Sequence, residues 1–86
     1  MSKLEKLIHR FSLRPKNFTY DELRGLLSGL GYDEIQKGKT SGSRVAFIHP
    51  DTRHIIRLHK PHLGNELKTY QINLIYQELK DQGVLE

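Results

Sequence analysis

A chain of 86 residues, 36% of them hydrophobic, can bury one small core and has no length left for a second. The absence of cysteine excludes disulfides, thiolate chemistry and zinc–thiolate sites, and charges interrupt every apolar run, so no stretch reads as a membrane span or a secretory signal. A net charge of +4 favours polyanionic partners, and the placement is uneven: Lys37, Lys39, Arg44, Arg53, Arg57, Lys60 and Lys68 fall in one stretch against only Asp51 and Glu66.

Leu4, Leu7, Ile8 and Phe11 recur at helical spacing, and Ser2 with Glu5 has the spacing of a capping box, so a short amphipathic helix opens the chain. Pro15 and its polar neighbours form the connector. A second helix is marked by Thr19 and Glu22 as a capping box, by the stripe Leu23, Leu26, Leu27 and Leu30, and by Gly31 as a left-handed stop. After Gly31 the apolar period falls to two, which predicts strands. A weak one lies around Tyr32 to Lys37, and "RVAFIH" and "HIIRLH" flank a turn of residues 50–53. The segment "TYQINLIYQELKDQG" predicts a last helix with Thr69 as N-cap, Ile72, Ile75, Tyr76 and Leu79 as its stripe and Gly83 as its stop.

The expected fold is therefore α+β: a three-stranded antiparallel sheet with helices on one face and the other face open. Pairing His49 with His54 puts Val45, Phe47, Ile56 and Leu58 on the core side, with the two histidines at its turn end. The same register puts Arg44, Ala46, Ile48, Ile55, Arg57 and His59 on the open face, with Arg44 directly across from His59.

From Thr19 onward the chain resembles the HicA-type (YcfA-like) toxins of bacterial toxin–antitoxin pairs. The resemblance rests on the leucine-striped helix ending in Gly31-Tyr32, the Gly42-Ser43 step into a strand, His49-Pro50 at the turn, Pro61-His62 followed by Gly64, Glu66 and Leu67, and the final helix. It implies a double-stranded-RNA-binding-like α-β-β-β-α domain over residues 19–86, preceded by an N-terminal helical extension over residues 1–18. It also implies a ribosome-independent mRNA endonuclease held by a HicB-like antitoxin, and the lack of cysteine, membrane span and secretory signal fits the cytoplasm. The family pattern carries a histidine one or two positions after Gly-Ser, where this chain has Arg44 and Val45.

That departure matters because metal-free RNA cleavage must take a proton from a 2′-hydroxyl and return one to the leaving oxygen near neutral pH. Imidazole, with a pKa of about 6.5, suits both steps. Arginine stays protonated to above about pH 12 and can only stabilise developing charge. The catalytic candidates are therefore His59, across from Arg44, and His62 in the Pro-His loop pair. Ser43, Arg44, Arg57, Lys60 and Lys39 are the RNA-binding candidates, with Lys37 adding charge. Tyr32 and Tyr70 read as core-edge fillers, with stacking on RNA bases as their alternative role, His49 and His54 as rings stacked across the turn, and His9 as helix surface. No cofactor or metal is implied, since arginines crowd the histidines and no Asp or Glu flanks them at ligand spacing. The alternative is a catalytically inactive RNA-binding or antitoxin-docking module of the same fold.

Overall fold

Side-chain caps set where the helices begin. In the computed structural model, which describes residues 2–35, 44–61 and 64–85, the Ser2 hydroxyl accepts the Glu5 N–H at 3.1 Å to start α1 (Lys3–Ser12). Thr19 and Glu22 bond each other's backbone N–H reciprocally, at 3.1 Å each, to start α2 (Tyr20–Gly29). The α2 C-terminus closes as a Schellman motif: Tyr32 N–H reaches Leu27 O at 2.9 Å and Gly31 N–H reaches Ser28 O at 3.1 Å. This requires the positive φ of 97° at Gly31, where a Cβ would also lie 2.9 Å from His49 Nε2. The C-terminus of α3 (Thr69–Asp81) closes in the same way around Gly83.

The start of α3 corrects one expectation. Lys68, not Thr69, is the N-cap residue. The reason is tertiary: the Gln71 side-chain oxygen accepts the Lys68 N–H at 3.0 Å, while its amide donates to the His59 carbonyl at 3.1 Å. The Gln71 side chain thus satisfies the N–H of the N-cap residue itself, one residue earlier than the expected cap, and no side-chain oxygen of the N-cap receives the first-turn N–H groups.

The strands β1 (Asp33–Ile35), β2 (Arg44–Ile48) and β3 (Ile55–His59) form an antiparallel sheet in the order β1-β2-β3. Its register is the expected one, with Arg44 opposite His59 and Phe47 opposite Ile56, and His49 N–H bonding His54 O at 2.9 Å beyond the strand ends. The expected first strand extended to Lys37, which lies outside the described residues. Val45, Phe47, Ile56 and Leu58 are buried, whereas Arg44, Arg57 and His59 are exposed, so the helices cover one face. This is the α+β architecture, in the order that the HicA resemblance implies.

The first helix shares the same core. Phe11 is fully buried, 5.2 Å from the Phe18 ring and 6.0 Å from that of Tyr76, and Leu4, Leu7 and Ile8 pack around it. Arg10 ties α1 to α2 by bonding the Glu22 carboxylate at 2.6 Å and the Asn17 carbonyl at 3.1 Å. Tyr20 N–H to Asn65 O at 2.7 Å and Leu67 N–H to Phe18 O at 2.8 Å stitch the segment before α3 along the entry to α2. The starts of α2 and α3 are thereby brought together.

Candidate nucleic-acid interface

Alternation along the strands sorts the side chains into two faces. From the observed register the open face carries Asp33 and Ile35 from β1, Arg44, Ala46 and Ile48 from β2, and Ile55, Arg57 and His59 from β3. Its cations gather at one end, while Asp33, its single carboxylate among the described residues, sits across from Ile48 toward the other. Ile35, Arg44, Ala46, Arg57 and His59 line a shallow depression. Direct cross-strand partners have Cβ atoms about 4.5–5.5 Å apart and diagonal ones about 7–8 Å, so His59 is the neighbour of Arg44 and Arg57 its diagonal. Among the described residues no carboxylate pairs with Arg44 or Arg57. Two unpaired guanidinium groups on neighbouring strands repel each other, so this end of the sheet carries concentrated positive charge.

The other predicted contacts divide. Lys60 follows the parity of Ile56 and Leu58 and turns to the helix side, where its ammonium lies 5.3 Å from the centroid of the Tyr20 ring. It is therefore off the open face, held at the rim by a cation–π contact. Ser43, Lys39 and His62, as well as Lys37, lie outside the described residues.

Two of the clustered histidines serve the turn. His49 Nδ1 accepts the N–H groups of Asp51 and Thr52 at 3.3 and 3.4 Å. His54 Nδ1 shares a 2.7 Å hydrogen bond with the Tyr32 hydroxyl, and its Nε2 lies 3.2 Å from the Glu78 carboxylate. The expected stacking of these two rings gives way to edge-on packing of each against Tyr32, at 5.2 and 5.8 Å. Tyr32 is buried, and burial, followed by the nearby Glu78 charge, holds its hydroxyl above the usual tyrosine pKa. It therefore stays neutral at physiological pH. Tyr20 is similarly raised, first by burial and then by its hydrogen bond to Glu34.

Tyr70 corrects the sequence reading: it is 59% exposed rather than part of the core edge. The helix turns about 100° per residue, so a residue two before Ile72 points nearly opposite to the buried stripe of Ile72, Ile75 and Leu79. Sequence reasoning also missed Gln71, whose amide links α3 to His59. No local signal marks it, because the contact joins residues of different elements.

An exposed imidazole stands beside two exposed guanidinium groups on one face of the sheet. His59 is solvent-accessible and can exchange a proton with a bound ribose hydroxyl, while Arg44 and Arg57 can meet the oxygens of the adjacent phosphate. Among the described residues no three His, Cys, Asp or Glu side chains converge at metal-binding distance.

A family model described as the HicA toxin of bacterial toxin–antitoxin systems matches residues 20–84. The chain belongs to the HicA toxin family. No curated protein and no solved structure gives a match. Within this HicA-family chain the two residues after Gly42-Ser43 face opposite ways: Val45 is buried against the helices, and only Arg44 reaches the open face. On the open face Arg44 therefore stands where the motif turns toward solvent, with the imidazole of His59 across the ladder from it.

Proposed function

We propose that this HicA-family protein binds mRNA on the open face of its sheet and cleaves it without a metal, in the cytosol, under the control of a HicB-like antitoxin. The observation that carries this reading is the pairing of Arg44 with His59 across β2 and β3, with Arg57 on the same face. Arg44 and Arg57 hold the non-bridging oxygens of the scissile phosphate. His59 takes the proton of the adjacent 2′-hydroxyl, whose oxygen attacks phosphorus and gives a pentavalent phosphorane. The P–O5′ bond then breaks, leaving a 2′,3′-cyclic phosphate, and the 5′-oxygen leaves with a proton. His62 is the proposed donor of that proton, and Lys39, Ser43 and Lys60 extend the RNA contact. Positioned proton transfer contributes typically 10²–10⁴-fold to rate, so loss of His59 is expected to reduce cleavage by about that factor.

The test is incubation of the partner-free protein with mixed single-stranded RNA in EDTA, comparing wild type with His59→Ala and Arg44→Ala. Cleavage by wild type that disappears in His59→Ala, with folding intact by circular dichroism, supports the assignment; undiminished cleavage by that variant refutes it. A second reading is favoured by Arg44 itself: with no histidine after Gly42-Ser43, the fold serves as an inactive RNA-binding or antitoxin-docking module. Salt-sensitive RNA binding without cleavage by any of the three proteins would select it.

A further inference from the structure

A second cleft lies around the edge of β3 from the open face, between the end of that strand and the first turn of α3. It is lined by His59, Lys60, Pro61, Lys68, Tyr70 and Gln71, with Glu66 as its one carboxylate. His59 lines both this cleft and the depression on the open face, so the two adjoin at that residue. The junction is braced: the Gln71 side chain donates to the His59 carbonyl at 3.1 Å and accepts from Lys68 N–H at 3.0 Å. The first turn of α3, and Tyr70 with it, is thereby fixed against the last residue of β3.

Among the described residues the exposed large apolar side chains are Leu13, Tyr70 and Leu74. Tyr70 alone of these lines a cleft walled by two lysines. An exposed aromatic ring beside ammonium groups is the composition of a site for a single-stranded nucleic acid, in which a base stacks on the ring and cations meet the backbone. Leu74, one turn further along α3, would suit a protein partner equally, but the lysines and the adjoining Arg44–Arg57 end of the sheet favour RNA.

We infer that Tyr70 is the stacking platform of a base-binding subsite, which takes an unpaired nucleotide next to the phosphate seated at Arg44, Arg57 and His59. The inference rests on the RNA-binding reading above. The strand runs from the open face past His59 and over the β3 edge, with Lys68 and Lys60 beside its backbone and Tyr70 beneath one base. The face of any base fits the ring, so the subsite selects unpaired over paired RNA rather than one sequence over another.

The experiment is a binding cycle on the full chain with 2′-O-methyl RNA oligomers, which lack the nucleophile and cannot be cut. Wild type, Tyr70→Ala and Tyr70→Phe are each titrated with an intact oligomer and with a set carrying one abasic position. We expect Tyr70→Ala to bind the intact oligomer roughly ten-fold more weakly, within the usual range for a base–aromatic stack, and Tyr70→Phe to bind as wild type does. One abasic position should weaken wild type by a similar factor and leave Tyr70→Ala unaffected. In a Tyr70→Trp variant, whose indole would be the single tryptophan of the chain, RNA should quench the fluorescence. If wild type binds RNA and Tyr70→Ala binds it equally well, or loses the same factor with and without the base, the stacking subsite is refuted while the RNA reading stands. If wild type shows no salt-sensitive binding at all, the RNA reading fails and takes the subsite with it.

Discussion

Replacing Phe11 with alanine tests whether the helix before the family match belongs to the folding unit. The match begins at residue 20, yet the Phe11 ring is fully buried between Phe18 and Tyr76. Truncating a buried phenylalanine to alanine costs about 3–5 kcal/mol in transfer and cavity energy. A domain of this size has a total stability of roughly 4–13 kcal/mol, so the variant should lose about a quarter of it or more. With about 4–8 °C of Tm per kcal/mol for a small domain, the midpoint should fall by roughly 12–40 °C. Urea unfolding followed by circular dichroism measures the loss and also the slope m, which tracks the surface exposed. A shared core predicts a lower midpoint with m unchanged. A loss below about 1 kcal/mol, or a separate early transition for α1, would refute the reasoning and make α1 a detachable arm.

Three further outcomes follow from particular contacts. Gly31→Ala forces a Cβ into a φ of 97° and to 2.9 Å from His49 Nε2, so it should destabilise by about 1–3 kcal/mol in thermal melts, with a neutral result arguing against that helix stop. The Glu22 carboxyl is held below its usual pKa, first by its hydrogen bond from Arg10 and then, against the opposing effect of burial, by the Thr19 N–H. A depressed carboxylate adds stability that is fully present above its unfolded pKa and lost as pH falls through the folded value. The stability advantage of wild type over Glu22→Gln should therefore be flat near neutrality and shrink on acidification below about pH 4.5; an advantage that grows with acid would contradict the pairing. Finally, if Arg57 neutralises one phosphate, Arg57→Ala should reduce the slope of log K against log salt by about 0.7 for single-stranded RNA in filter-binding titrations, and an unchanged slope would place the phosphate elsewhere.

What could be read from the amino acids was what short-range physics controls. Caps bond three residues away, a glycine stop depends on its own φ, and strand faces alternate residue by residue. The Thr19–Glu22 box, the stop at Gly31 and the pairing of Arg44 with His59 were therefore all legible, and with them the sheet and its basic end. The HicA resemblance was legible for the same reason, since it rests on the order and spacing of those elements.

Contacts between elements distant in the chain were decided by the tertiary structure alone. Parity already turns Lys60 from the open face, but its partner at the rim, the Tyr20 ring 40 residues away, is set by how α2 packs on the sheet. Gln71 bonds the N-cap residue of α3 from within the helix because the His59 carbonyl lies where its amide can reach. His54 is occupied by Tyr32 and Glu78, 22 and 24 residues away, so a histidine that resembles a site residue in sequence becomes part of the turn's support. Periodicity assigns a side chain to a face, but which group meets it there depends on how the helices pack over the sheet, and that packing sums many weak contacts that no local window contains.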